Sequence, residues 1–222
     1  MKSYPTSLVK ITVRGIHDNC WSTDKRLTKG IKILDFRIID DNHLRMLVSV
    51  HKDNISILLR LLRETYNLFI VNGVSAYGTN NYIVSFVKNI HEISIPKMID
   101  MYHGYFLGSI YKNGLEEWRF VLPERETRIV LSEIKKIMSQ MEVEEDKYEP
   151  VEPIDLNDKE IEILRVATEM GYYDNPKGVD LEEIARILHM SPSNVNYHLR
   201  NIERKILVSF MKGHGAISRV NE

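Results

Sequence analysis

Apolar and polar positions alternate from Leu8 to Arg14. Val9, Ile11 and Val13 fall on one side and Lys10, Thr12 and Arg14 on the other, the pattern of a half-buried strand. A short helix is expected around Trp21 to Leu27. Two strands then meet at the turn Asp40 to Asn42, the second alternating through Leu44, Met46, Val48 and Val50. The spacing of Ile55, Leu58, Leu59 and Leu62 predicts a helix with one apolar face, and a strand from Leu68 to Val74 follows. The order then starts again with a strand from Tyr82 to Val87, a short helix from Ser94 to Tyr102 and a strand from Tyr105 to Tyr111. It continues through the turn Lys112 to Gly114, a strand from Glu117 to Leu122 and a helix from Glu126 to Met138. Asn-Gly between alternating runs is a hairpin signal, because both residues tolerate positive φ.

Matching elements lie about 70 residues apart, so one supersecondary unit occurs twice. Each copy reads β-α-β-β-α, and the first adds a closing strand, which predicts a tandem ferredoxin-like βαββαβ arrangement within an α+β chain. For the second copy only the segment at Met141 offers a last strand. Acidic residues and Pro150 and Pro153 mark residues 141–155 as a linker. The expected domains are therefore 1–140, for sensing or dimerisation, and an all-α domain over 156–222.

In that all-α part, Asn157 or Asp158 can cap a first helix. Ile161, Ile163, Leu164, Ala167, Thr168 and Met170 predict a wide buried arc on it. After the breakers Gly171, Pro176 and Gly178, Asp180 caps a short helix from Leu181 to His189, with Leu181, Ile184, Ala185 and Leu188 as its apolar face. Ser191 and Pro192 then open a third helix, Pro being at home in the first helical position. Two helices joined by so short a turn predict a helix-turn-helix. On the third helix, Val195, Leu199, Ile202 and Ile206 face the core. Ser193, Asn196, Tyr197, Arg200 and Arg204 lie opposite, and Asn194 sits on one flank near the start. Amide, hydroxyl and guanidinium groups on one exposed face suit base edges and phosphates, so these six are the candidate contacts to double-stranded DNA.

Composition sharpens this reading more than it limits it. The 222 residues carry a net charge of -1, with 43% hydrophobic and 27% charged positions. That near-neutral total conceals acidic residues crowded between Met141 and Glu160 and basic ones between Arg186 and Arg219, and local field is what matters for phosphate binding. No apolar run approaches the roughly 18 residues of a membrane span, and the N-terminus lacks a signal peptide's apolar core, so a cytoplasmic protein without a membrane partner is expected. The single cysteine excludes an internal disulfide. The eight histidines have no zinc-site spacing and there is no glycine-rich phosphate loop, so neither metal nor cofactor is expected.

The stretch Leu156 to Ile206 resembles the helix-turn-helix domain of the bacterio-opsin activator family of archaeal regulators. The likeness rests on the Gly-Tyr-Tyr-Asp connection at Gly171 to Asp174, on Leu181 to Glu183 with Ala185, on Ser191, on His198 to Arg200 and on Glu203 to Lys205. Asn157 and Glu160 stand where the family has threonine and glutamine. The resemblance covers about a quarter of the chain. It implies DNA binding and transcriptional regulation, without saying whether as activator or repressor. A homodimer is expected because two-fold operators are read by dimers.

The only cysteine lies in Gly-Ile-His-Asp-Asn-Cys-Trp-Ser-Thr, residues 15–23. Cys20, His17 and Trp21 are candidate contacts for a small-molecule or redox effector, with Cys20 placed near a helix N-terminus that would favour its thiolate. His91 falls where the repeat puts the counterpart of His17, so two matching loops could line one pocket. The alternatives are local packing, a ferredoxin-like enzyme using Cys20 with His17, for which the sequence names no third, orienting group, and a protein-interaction adaptor.

Overall fold

The computed structural model describes residues 7–18, 20–65, 69–90, 94–150 and 153–214. Among the described residues of the N-terminal unit, Met1–Tyr148, alternation with period two produces eight strands. They are β1 (Leu8–His17), β2 (Ile31–Asp40), β3 (His43–His51), β4 (Phe69–Tyr77), β5 (Asn81–Asn89), β6 (Tyr105–Lys112), β7 (Leu115–Pro123) and β8 (Met138–Lys147). Helices α1 (Lys52–Thr65), α2 (Ile95–Met101) and α3 (Glu124–Ile134) lie between them. The hairpin between β6 and β7 turns on Asn113 and Gly114, with φ of 54° and 82°, as the Asn-Gly signal predicts. Ser94 caps α2 by accepting the Lys97 N–H.

The strands form one sheet in the order β4-β5-β3-β2-β6-β7-β1-β8, and every pairing is antiparallel. A ferredoxin-like plan pairs each copy's first strand with strands of its own copy, and this part of the reading is corrected. The first strand of each copy pairs inside the other: β1 lies between β7 and β8, and β5 lies between β3 and β4. An apolar face satisfies either neighbour equally well, so alternation reports that a strand exists but not what it pairs with. The halves join through β2 and β6 over only Ile31 to Ile33.

The second correction concerns the linker. Residues 141–147 belong to β8, which pairs with β1 from Val9 to His17. Its core-facing positions are Met138, Met141 and Val143. Its carboxylates meet cations of β1, with Arg14 donating to Glu144 at 2.8 Å and Lys10 3.9 Å from Asp146. Charge on an edge strand guards it against pairing with other chains, which is why β8 reads as a linker in the sequence. The opposite edge, β4, reads Phe-Ile-Val-Asn-Gly-Val-Ser-Ala-Tyr and carries no charge. The helix expected at Trp21 to Leu27 is also shorter than predicted, a three-residue turn of 3-10 helix at Trp21–Thr23, with Leu27 buried beyond it.

One face of the sheet is apolar. Ile11, Val13, Ile31, Val48, Val84, Phe86, Phe120 and Leu122 pack with Leu58 and Leu62 of α1, Ile95 and Ile99 of α2, and Val130 and Ile134 of α3. Arg14 and Glu117, 2.7 Å apart, lie on the other face.

The C-terminal unit, Glu149–Glu222, holds α4 (Asp158–Glu169), α5 (Leu181–Ile187) and α6 (Pro192–His214) around Ile163, Ala167, Ile184, Ala185, Val195, Leu199 and Ile202. The buried arc of α4 is narrower than expected. Ile161 is 50% exposed and Thr168 is exposed, while the carboxylate of Glu160 takes a buried position. Among the described residues no helix is long and apolar enough to cross a membrane.

Ending the N-terminal unit at Gln140 would remove most of β8 and leave β1, still paired with β7, as an exposed apolar edge. A fragment of residues 1–140 should melt about 10 °C or more below one of residues 1–148, or aggregate, as measured by thermal denaturation. Equal melting would show that β8 adds nothing to the sheet.

Candidate nucleic-acid interface and buried polar pocket

The start of α4 is held by a reciprocal cap. Asn157 Oδ1 accepts the Glu160 N–H at 2.9 Å while Glu160 Oε2 accepts the Asn157 N–H at 3.0 Å. Lys205 of α6 donates to both Glu160 oxygens, at 2.9 and 2.7 Å, and to the Asp155 carbonyl at 2.9 Å. The Lys205 ammonium and the Asn157 N–H hold the Glu160 carboxyl below its usual range. The two departures from the family pattern are thus the two halves of one cap. Gly171 closes α4 with φ of 75°, and a Cβ there would sit 2.7 Å from Asp174 Oδ2. Tyr172 then packs on the core beneath Lys177, whose Nζ lies 4.2 Å from the ring centroid.

Asp180 caps α5 through the Glu183 N–H at 2.9 Å, and Ala185, 2% exposed, lets α6 approach. His189 makes the turn with φ of 52°, and Ser191 Oγ accepts the Asn194 N–H at 3.3 Å to open α6. With Val195, Leu199 and Ile202 buried, Ser193, Asn194, Asn196, Tyr197, Arg200 and Arg204 are all exposed. Tyr197 is 63% exposed, far more than an aromatic ring needs for packing. Arg200 is tethered to Glu203 at 3.5 Å, and the same carboxylate accepts the Tyr173 hydroxyl at 3.3 Å. Burial and Glu203 push that hydroxyl up to about 12, so it remains a donor.

Residues 156–208 match the family described as an HTH DNA binding domain. The C-terminal unit is a bacterio-opsin activator-type helix-turn-helix domain. It is also 34% identical over 55 residues to a "Putative transcriptional regulator" of Haloferax volcanii. That match takes in 25% of this chain and only 10% of the relative. Within the bacterio-opsin activator-type domain, α6 occupies the place of the helix that enters the groove.

The N-terminal unit contains a site of a different kind. Three strands place an ionisable residue on the apolar face near one end: His17 follows Ile11 and Val13 on β1, Lys88 follows Val84 and Phe86 on β5, and Glu116 precedes Trp118 and Phe120 on β7. All three line a cavity of about 200 Å³ together with Cys20, Trp21, Tyr111 and Trp118. Glu116, 1% exposed, accepts the Ser22 hydroxyl, the Trp118 Nε1–H at 2.7 Å and His17 Nδ1 at 3.2 Å. Burial alone would push His17 down, but hydrogen bonds to Cys20 and Glu116 outweigh it and raise the imidazole to about 10. Burial lowers Lys88 to about 8 against the opposing pull of Cys20 and Glu116. Its Nζ donates to the Asn89 carbonyl at 3.4 Å.

Of the predicted effector contacts, His17, Cys20 and Trp21 meet in this cavity, while His91 lies outside the described residues. His17 ends β1 rather than sitting in a loop, and Cys20 precedes a three-residue turn, too short for a helix dipole to act on the thiol. Glu116 and Lys88 were not predicted. Their signal was a charge on the buried side of an alternating strand, with Lys88 just beyond the expected end of its strand at Val87. Glu116 is also the orienting group that the sequence could not name beside Cys20 and His17. The donor atoms of His17, Cys20 and Glu116 lie within 4.8 Å of one another, so the set could act on a thiol or take a divalent metal such as zinc.

Lys88 gives a pH test of this geometry. Its pKa is lower folded than unfolded, so a buried ammonium costs stability wherever both states are protonated, below about pH 8. That cost fades as pH rises towards the ordinary value of 10.5, where both states are neutral. Lys88→Met should therefore raise the melting temperature at pH 7, with a margin that shrinks from pH 8 to 10.5. A variant that melts lower at pH 7 would refute a burial-dominated ammonium.

Proposed function

We propose that the chain is a one-component transcriptional regulator: the helix-turn-helix domain binds double-stranded DNA through α6, and the N-terminal unit senses an effector. The match over residues 156–208 carries the first half. The exposure of all six polar residues opposite the buried stripe of α6 supports their role as contacts. We read the N-terminal unit as two ferredoxin-like copies that have exchanged first strands, with the cavity as the effector site. The thiol, imidazole and carboxylate in that cavity also suit the enzyme alternative. The regulator reading is preferred because the match to known proteins falls on the DNA-binding domain, and because the same relay can fix an imidazolium for binding.

Dimerisation belongs to the proposal and is supported by the end of α6. Beyond Ile202, the helix continues with Leu207 62%, Phe210 55% and Met211 64% exposed, at the spacing of one helical face. An apolar stripe on a helix beside a DNA-reading face suits the same helix of a second copy.

Gel shifts on promoter fragments test the DNA half. Salt-sensitive binding is expected, and Arg200→Ala should lose about 1 to 3 kcal/mol of discrimination if the guanidinium reads a base, or weaken all sequences alike if it holds a phosphate. Absence of binding to any duplex at modest salt would refute the regulator reading. For the dimer, sedimentation should show two copies for the wild type and one for Met211→Glu. A wild-type monomer at working concentration would remove this part of the proposal.

A further inference from the structure

Three kinds of metal donor converge at the end of β1. His17 and Glu116 come from paired strands, Glu116 standing opposite Gly15 in the register. Cys20 joins them from a turn closed by its own N–H on the His17 carbonyl at 3.3 Å, and the Cys20 carbonyl accepts the Thr23 hydroxyl at 2.7 Å. Backbone hydrogen bonds thus set where all three side chains start. The expectation of no metal rests on spacing along the chain, which cannot reveal a set whose members lie 99 residues apart.

Two ligands at about 2.0 to 2.1 Å from a tetrahedral ion lie roughly 3.3 Å from each other. His17 Nδ1 and Glu116 Oε1 are 3.2 Å apart. The Cys20 sulfur lies within 4.8 Å of a ring nitrogen of His17 and of a Glu116 oxygen, so closure of its half-buried turn by roughly an ångström completes the set. The support around these ligands is in place as well. Ser22 donates to Glu116 Oε1 and Trp118 Nε1–H to Oε2 at 2.7 Å, which fixes the carboxylate as a metal-ligating carboxylate requires. Tyr111 meets Trp21 and Trp118 edge to face, with centroids 4.9 and 6.0 Å apart, and these rings wall the donors off from water.

We propose that His17, Cys20 and Glu116 bind zinc(II), and that zinc is the effector the N-terminal unit senses. The second clause rests on the regulator reading above. Thiolate, imidazole and carboxylate together suit zinc, whereas magnesium and calcium take oxygen ligands. Binding releases whatever protons the thiol and imidazole carry without the metal, so the site does not depend on the resting state of Cys20. The thiolate and the carboxylate bring two negative charges, which neutralise a divalent ion and leave little field for the Lys88 ammonium in the same cavity to oppose. Three protein ligands leave the fourth tetrahedral position to water from the cavity, unlike the closed four-ligand set of a structural zinc.

The chain has a single cysteine, so a thiolate-to-cobalt charge-transfer band in the near ultraviolet can come only from Cys20. The full chain, stripped with a chelator, is titrated with cobalt(II) chloride and then with zinc chloride. The band should appear with cobalt, bleach with a single equivalent of zinc, and survive magnesium. Cys20→Ser should lose it. In competition with a chromophoric chelator, Cys20→Ser, His17→Gln and Glu116→Gln should each weaken zinc binding by more than the roughly 10- to 100-fold that loss of an outer-shell partner costs. Circular dichroism establishes which variants are folded, and Cys20→Ser, at the half-buried turn, carries the test if a strand variant is not.

A wild type without the band, or a Cys20→Ser variant with undiminished zinc affinity, would overturn the site. Gel shifts with and without zinc test the effector role. Zinc should change the DNA affinity of the wild type by roughly 5- to 150-fold and leave that of Cys20→Ser unchanged. A wild-type affinity indifferent to zinc would overturn zinc as the effector. DNA binding without the cobalt band refutes this site alone, whereas the band without DNA binding refutes the regulator reading alone.

Discussion

The pairing of β1 with β7 holds the N-terminal unit together and builds its cavity. From Leu8 to Gly15 the first strand of the chain lies antiparallel to a strand of the second copy, across from residues 116–123. Because β5 is placed the same way in the other half, neither copy completes its part of the sheet alone. The result is one eight-stranded sheet. It also brings His17 within hydrogen-bonding distance of Glu116, 99 residues away in the chain. A strand pairing that serves stability thus places an imidazole and a buried carboxylate side by side.

The helix-turn-helix domain depends on an interaction of the same type. Glu160 and Lys205 link the first turn of α4 to α6, and the Asp155 carbonyl joins them. A buried carboxylate is tolerated where its lone pairs are filled, and here the Asn157 N–H and the Lys205 ammonium fill them. Fixing α6 to α4 on one side leaves its other side free of packing duties. That division is why polar residues can occupy the whole outer face without loss of core.

Much of this was legible in the sequence because the signals were local. The alternation of β1 and β3, the Asn-Gly turn at Asn113 and the caps at Asp180 and Ser191 each depend on a few neighbouring residues, and each formed where expected. The exposed face of α6 was legible for the same reason, since a helical wheel needs only the period. What could not be read is non-local. Strand partners are set by the whole sheet, so the exchange of β1 and β5 was hidden. The edge strand β8 hid behind the charges that protect it. Lys88 and Glu116 fell on the apolar side of their strands, a local irregularity whose meaning appears only when both reach the same cavity.

Those two residues also carry a cost to the fold. A lysine held on the apolar face of β5 weakens the fold it belongs to, and aliphatic packing would suit that position better. Such a group persists where the charge has a use. The strands concerned, β1, β5 and β7, include both exchanged strands. The cavity is therefore lined from both parts of the sheet.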